Sequence, residues 1–270
     1  MADPERTLTE GERWSRAELE LLLGARFSPS AVGAFLVHSQ RRANAERAAR
    51  PQTAQRMRAW MLAGFAAHAG VAFAGDTKAR QGLAGAMSWW AGTWVMLDWH
   101  IGMFETEDGR PRNLGAADAA TLARAWMVPL AARGASPALL LAAWGSDGLD
   151  GRLARASEPT RAGRDLEGLV DACFAAAALR GARRTETLPA WAAAGEIARL
   201  AGGFAYGLWL YFGHAEAPDP AVTRAARSTT PVRVAGLVAA GAGRPRLAGA
   251  LVGGGSAWAL GSVLGALRRR

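Results

Sequence analysis

The stretch SDGLDGRLARASEPTRAGRDLEGLVD, Ser146 to Asp171, decides how this chain is read. It is densely charged, yet apolar sequence flanks it on both sides, ALLLAAWG before it and ACFAAAAL after it. Charges beside apolar helices are costly and are kept where they do something. Their spacing is helical. Asp147, Asp150, Gly151 and Ala154 fall at i, i+3, i+4 and i+7, and Gly163, Glu167 and Asp171 at i, i+4 and i+8, each set on one helix face. Two facing helices would bring together Asp147, Asp150, Glu167 and Asp171. Four such carboxylates repel and take up protons unless cations hold them. All-oxygen ligation favours Mg2+ or Mn2+, and two such ions suit a diphosphate. Gly151 and Ala154 lack bulk, so a nucleotide can approach the backbone, and Arg155 suits a phosphate.

Outside this stretch, apolar blocks alternate with basic clusters. Half of the 270 residues are hydrophobic, yet the formal net charge is +9. In a soluble chain that charge would point to nucleic acid. Segregated between apolar blocks, it is the pattern of a polytopic membrane protein, and no nucleic-acid partner is expected. Lys78 is the only lysine, and the abundance of Ala, Gly and Arg fits a GC-rich bacterial genome. The lone Cys173 excludes an intramolecular disulfide and a cysteine-rich zinc site. The start, MADPERTLTEGERW, has no apolar signal-peptide core, so insertion is expected from internal segments.

Residues 1–58 read as a cytosolic, Arg-rich helical region, solvated and near anionic headgroups, with Pro51 dividing two helices. Residues 59–112 read as a transmembrane hairpin and loop, with arms Ala59–Gly75 and Gly82–Phe104, each close to the ~20 residues a span needs. Trp89, Trp90, Trp94 and Trp99 suit either an interfacial belt or packing between helices. Residues 113–270 form the third segment. Its expected helices are Ala119–Ala132, Pro137–Arg155, Gly163–Arg180, Leu188–Phe212, Pro231–Ala242 and Leu247–Leu267, several rich in the small residues that let helices approach in lipid. The arginine distribution puts residues 1–58, 105–118, 152–164, 213–230 and the Arg268–Arg270 tail on one side, the cytoplasm. The fold class is therefore all-α, a polytopic transmembrane helix bundle.

The motif resembles the signature of the CDP-alcohol phosphatidyltransferase family, D-x-x-D-G-x-x-A-R, a spacer, then G-x-x-x-D-x-x-x-D. Upstream, Thr121-Leu122-Ala123-Arg124 followed by Pro129 is similar to the T-L-x-R-x-x-x-x-P of the family's first helix. The resemblance covers roughly residues 113–267. It implies a six-helix core, preceded here by the extra hairpin, with the active site open to the cytoplasmic side of a bacterial membrane. The implied donor is a CDP-linked lipid, usually CDP-diacylglycerol, the co-substrate an acceptor alcohol, and the leaving group CMP. The implied metal ligands are Asp147, Asp150, Glu167 and Asp171, holding two Mg2+ or Mn2+ ions. Asp171 is the implied catalytic base, and Gly151, Ala154, Arg155 and Gly163 the implied nucleotide-binding positions. Membrane lipids and a second copy in a homodimer are the other implied partners.

Two departures bear on activity. Glu167 stands where the family usually has Asp, and the spacer from Arg155 to Gly163 is one residue short. They leave open a degenerate protein of the same fold that binds lipid or nucleotide without turnover. A transporter would show internal repeats, and none is visible. Other charged groups have plainer readings. Arg124 suits a phosphate or a motif carboxylate equally. Asp165 is expected to be solvated or Arg-paired, Glu196 and Arg199 either a buried structural pair or an acceptor-binding group, and Arg233 a topology or headgroup residue. His100 is expected at the interface.

Overall fold

The computed structural model describes residues 9–75, 77–156, 160–214 and 219–268, with backbone alone at 78, 79, 147, 149–156 and 211–214. Among the described residues the chain is all-helical, apart from one isolated bridge between Glu105 and Pro111. In order the helices are α1 (Glu10–Gly24), α2 (Pro29–Ala49), α3 (Pro51–Ala74), α4 (Thr77–Gln81) and α5 (Leu83–Trp99). A 3-10 turn at Ile101–Met103 leads to α6 (Ala116–Ala131), α7 (Pro137–Ala156), α8 (Arg161–Arg184) and α9 (Ala190–His214). The chain closes with α10 (Pro220–Arg227), α11 (Thr230–Gly241) and α12 (Pro245–Leu267).

Each segment expected to span is helical, with modest shifts at its ends. Pro51 separates α2 from α3 as its ring requires: it sits at the first helical position, where its missing N–H costs nothing. α10 is unexpected, lying inside the segment 213–230 read as a loop. Its start is local chemistry: the Asp219 side chain accepts from the Ala221 amide at 2.6 Å, and Pro220 occupies the first turn.

The chain divides into two compact units, one of residues 130–145 and 172–270, the other of residues 2–129 and 146–171. The division falls within α7 and α8, whose motif-bearing halves both belong to the second unit.

In the second unit, α3 and α5 form the hairpin. Trp90 is 2% exposed and lies against Gly64, where an added Cβ would come within 2.2 Å of its ring. Its indole donates to the Met61 carbonyl at 2.8 Å, and the Trp126 indole donates to the Gly64 carbonyl at 3.1 Å. Pro129, inside α6, cannot donate to the Ala125 carbonyl. The Trp89 indole takes that place at 2.8 Å. Trp99 donates to Gln40 at 2.8 Å. Of the two roles open to these tryptophans, Trp89, Trp90 and Trp99 therefore take the packing one. The arginines of residues 40–58 call for a correction. Arg42 pairs with Glu10 and Glu46, and Arg47 with Asp98. Arg50 donates to the Gly102 and Phe104 carbonyls, and Arg56 to Leu114. These four guanidiniums meet internal acceptors rather than solvent alone, while Arg41 and Arg58 are exposed.

In the first unit α9, α11 and α12 pack closely through small residues. A Cβ on Gly236 would meet the Val252 amide nitrogen at 2.9 Å, and one on Gly253 the Trp191 ring at 2.0 Å. Glu196, expected to pair with Arg199, is held by three partners: Arg199 at 2.7 Å, Arg233 at 2.6 Å and Ser256 at 2.7 Å. Arg233 is therefore a buried structural cation, not a headgroup residue, because a guanidinium at 7% exposure needs a buried anion and Glu196 supplies one.

Among the described residues one helix, α12, is long and apolar enough to cross a membrane by length and composition. The other expected spans carry charged groups or fall short. Large apolar side chains nonetheless point outward, Phe73 at 73% and Trp258 at 71% exposure, with Leu62, Phe204 and Trp209 similar.

Gly64→Ala is expected to destabilise the protein by about 1–3 kcal/mol through overpacking against Trp90. Gly70→Ala, where nothing lies within 4 Å of the added carbon, is expected to be neutral or mildly stabilising. Thermal unfolding of the two variants in detergent checks the difference.

Candidate active site

The site is built on the start of α6, the end of α7 and the first half of α8. Gly115 precedes α6, and Asp118, in its first turn, accepts from the Gly115 amide at 2.7 Å, half of a capping box. Thr160 precedes α8 and accepts from the Gly163 amide at 2.9 Å, an N-cap. The two caps are joined, because the Thr160 hydroxyl donates to the other oxygen of Asp118 at 3.2 Å. A Cβ at Gly163 would sit 2.5 Å from the Asp118 carboxylate and 2.9 Å from the Thr160 hydroxyl. Glycine is required there on packing grounds alone.

Two turns into α6, Arg124 is buried at 2% exposure. Its Nη1 donates to Oδ1 of Asp171 at 2.6 Å, while the Asp171 side chain stays 44% exposed. Of the two roles open to Arg124, the structure shows the carboxylate partner. One end of the pair is buried and directional, the other reachable from outside.

The register read from the sequence holds in both helices. Gly163, Glu167 and Asp171 lie on successive turns of α8, with Glu167 half-buried. Asp147, Asp150, Gly151, Ala154 and Arg155 lie on α7, but their side chains are outside the described residues. Among the described residues no three His, Cys, Asp or Glu side chains converge as metal ligands. Asp165 is exposed, 3.7 Å from Arg164, as expected. His100 is exposed and its Nδ1 is 2.7 Å from the Met96 carbonyl.

Sequence reasoning missed Asp118, Thr160, Glu105 and Arg161. Thr160 was within reach, since a threonine just before a helix start is an N-cap signal. Asp118 reads locally as a helix-start acid, and nothing local says that it meets Thr160. Glu105 and Arg161 pair across 56 positions, with no periodic signal.

Comparison with known families decides the membership. The model of the family described as CDP-alcohol phosphatidyltransferase matches residues 116–257, just over half of the chain. The chain belongs to this family. Neither the curated proteins nor the solved structures contain a match to it. As a CDP-alcohol phosphatidyltransferase it is an enzyme of phospholipid biosynthesis that acts at membranes and transfers a substituted phosphate group from a CDP-alcohol. The match begins at the first residue of α6, so it takes in the signature residues and leaves α1 to α5 outside.

Gly163→Ala is expected to push the Asp118 carboxylate off Thr160 and uncouple the two caps. Loss of a cap costs about 1 kcal/mol, and a displacement near 1 Å at the site costs about 10²-fold in rate. A small fall in melting temperature with a large fall in turnover is the expected pattern, and an unchanged turnover number would contradict it.

Proposed function

We propose that the chain transfers a phosphatidyl group from CDP-diacylglycerol to the hydroxyl of an acceptor alcohol, releasing CMP. The observation that carries this reading is the signature itself. Its acidic positions lie inside the family match, in register on α7 and α8, and both motif halves belong to one compact unit.

Asp147, Asp150, Glu167 and Asp171 would hold two divalent cations, Mg2+ or Mn2+, a hard all-oxygen donor set that suits them. When bound, such cations neutralise the diphosphate of the donor. Gly151, Ala154 and Gly163 give a low surface for the nucleotide, and Arg155 a charge for its phosphates. Asp171 takes the proton of the acceptor hydroxyl. The acceptor oxygen then forms its bond to the lipid-side phosphorus as the bond from that phosphorus to the bridging oxygen breaks. CMP leaves with the bridging oxygen. The 2.6 Å bond from buried Arg124 supports a fixed orientation for Asp171.

In this reading residues 113–270 are the transferase domain, a six-helix membrane core, residues 59–112 an added hairpin, and residues 1–58 a cytosolic helical region. The outward apolar side chains of α3, α9 and α12 support a lipid environment, since soluble proteins rarely expose such patches. Contacts among Thr9, Glu105 and Arg161 support placing residues 1–58, 105–118 and 152–164 on one side. We assign that side to the cytoplasm of a bacterial cell and the working form to a homodimer. Glu167 and the short spacer favour a second reading, a lipid- or nucleotide-binding protein without turnover.

The test is CMP release from CDP-diacylglycerol by the purified full-length protein with Mg2+ or Mn2+. Glycerol 3-phosphate, an inositol phosphate, serine and a phosphatidyl lipid serve as acceptors. Acceptor-dependent release is expected, falling by about 10²–10⁴-fold in Asp171→Asn as a general base is lost. Folded protein that releases no CMP with any acceptor or metal would favour the second reading.

A further inference from the structure

We propose that α1 and α2 act as a clamp that sets the position of the catalytic half of α8, with Glu105 and Arg161 as positioning residues. The proposal rests on the transferase reading above and concerns a part of the chain outside the family match.

Arg161 is the first residue of α8 and is buried. Its main-chain amide donates to the Glu105 carbonyl at 2.9 Å. Its Nη1 donates to Oε1 of Glu105 at 2.6 Å and to the Thr9 hydroxyl at 2.7 Å, and its Nη2 lies 3.2 Å from Glu12. Thr9 caps α1 in a reciprocal capping box with Glu12, and its hydroxyl donates to Glu105 at 3.0 Å. One hydroxyl thus joins the start of α1, the loop before α6 and the start of α8. Arg50, at the end of α2, braces the same loop. It donates to the Gly102 and Phe104 carbonyls at 3.0 and 3.1 Å and pairs with Glu46 at 3.2 Å. Arg42 ties Glu46 to Glu10, and its hydrogen bond holds the Glu10 carboxyl below its usual range.

Such a network is a poor way to gain stability. Buried ion pairs often do no better than well-packed apolar residues, and apolar contact has no preferred direction. A charge-assisted, multiply bonded guanidinium does fix direction and register. What it fixes here is the N-terminus of the helix that carries Glu167 and Asp171. At 1.5 Å per residue these lie about 9 Å and about 15 Å along α8 from Arg161, so a rigid shift at Arg161 reaches both.

The clamp also bears on the two departures from the family pattern. A spacer one residue short would by itself let α8 start elsewhere, and the extra methylene of Glu167 needs the helix further from its target. Glu105 sets the start of α8 without using the spacer. The longer side chain at 167 and the clamp are then matched to each other.

The experiment uses full-length protein in detergent, with melting temperature as the check on folding. Glu105→Gln and Arg161→Lys are compared with Arg164→Ala, an exposed arginine paired with Glu107, and Glu167→Asp is made alone and with Glu105→Gln. The readouts are kcat, donor KM, half-saturating Mg2+ and Mn2+ binding by electron paramagnetic resonance. Glu105→Gln and Arg161→Lys are expected to lower kcat by about 10–100-fold and weaken Mn2+ binding by about 10-fold or more. Donor KM is expected to rise as well, because Gly163 and the carboxylates that would hold the cations facing the donor diphosphate move with the same helix. Arg164→Ala should match the wild type. Glu167→Asp should cost activity alone and much less beside Glu105→Gln, the non-additivity of two coupled sites. If Glu105→Gln does not fold, Thr9→Val provides the same comparison. Independent, multiplicative effects, or unchanged kcat and Mn2+ binding in a folded clamp variant, would overturn the proposal. Wild-type protein that binds Mn2+ but releases no CMP would sink the transferase reading instead, and the Mn2+ comparison would still test the clamp.

Discussion

A charged side chain among apolar helices has to be compensated from within the protein, and most of this architecture follows from how that is done. Removing one partner of a buried ion pair costs about 3–5 kcal/mol, so each buried charge dictates its neighbour. Arg161 takes Glu105, Arg124 takes Asp171, and Glu196 takes Arg199, Arg233 and Ser256. Most of these bonds join different elements. Where lipid is as apolar as leucine, burial alone does not select one helix partner over another. Selection falls to the paired charges and to glycines such as Gly64 and Gly236, which let backbones come close.

The same logic separates the family core from what this chain adds. The family match starts at α6, yet α8, which carries half of the signature, is held at its first residue by groups from α1 and the loop after α5. An extension that reads in sequence as a solvated Arg-rich helical region is in the structure bonded to the first residue of α8. Its arginines act on carbonyls and carboxylates at particular places rather than as diffuse positive charge.

What was legible in the sequence was local or periodic. Helix starts at Pro51 and Pro137 follow from the proline ring, and the motif spacing survives because a helix repeats every 3.6 residues. The carboxylate positions on α8 were readable for that reason. Pairings across long separations were not. Nothing near Arg124 distinguishes a phosphate ligand from a partner of Asp171, and nothing near Asp98 names Arg47. α10 escaped notice because eight residues are too few for periodicity to stand out, although Asp219 and Pro220 announce a helix start. Tryptophans were ambiguous in kind: an indole suits an interface and a buried carbonyl equally, and only the position of Pro129 shows that a carbonyl on α6 needed one.

That proline carries a consequence for where the protein can be cut. A buried carbonyl left without a donor costs roughly 1–3 kcal/mol, and Pro129 would leave one at Ala125 if the Trp89 indole of α5 did not reach it. The Trp89 indole has an N–H of its own to satisfy, so one bond between α5 and α6 settles both groups. The first helix of the family match thus leans on a side chain from outside it, and a chain trimmed to the matched residues 116–257 would lose the indole that bonds Ala125.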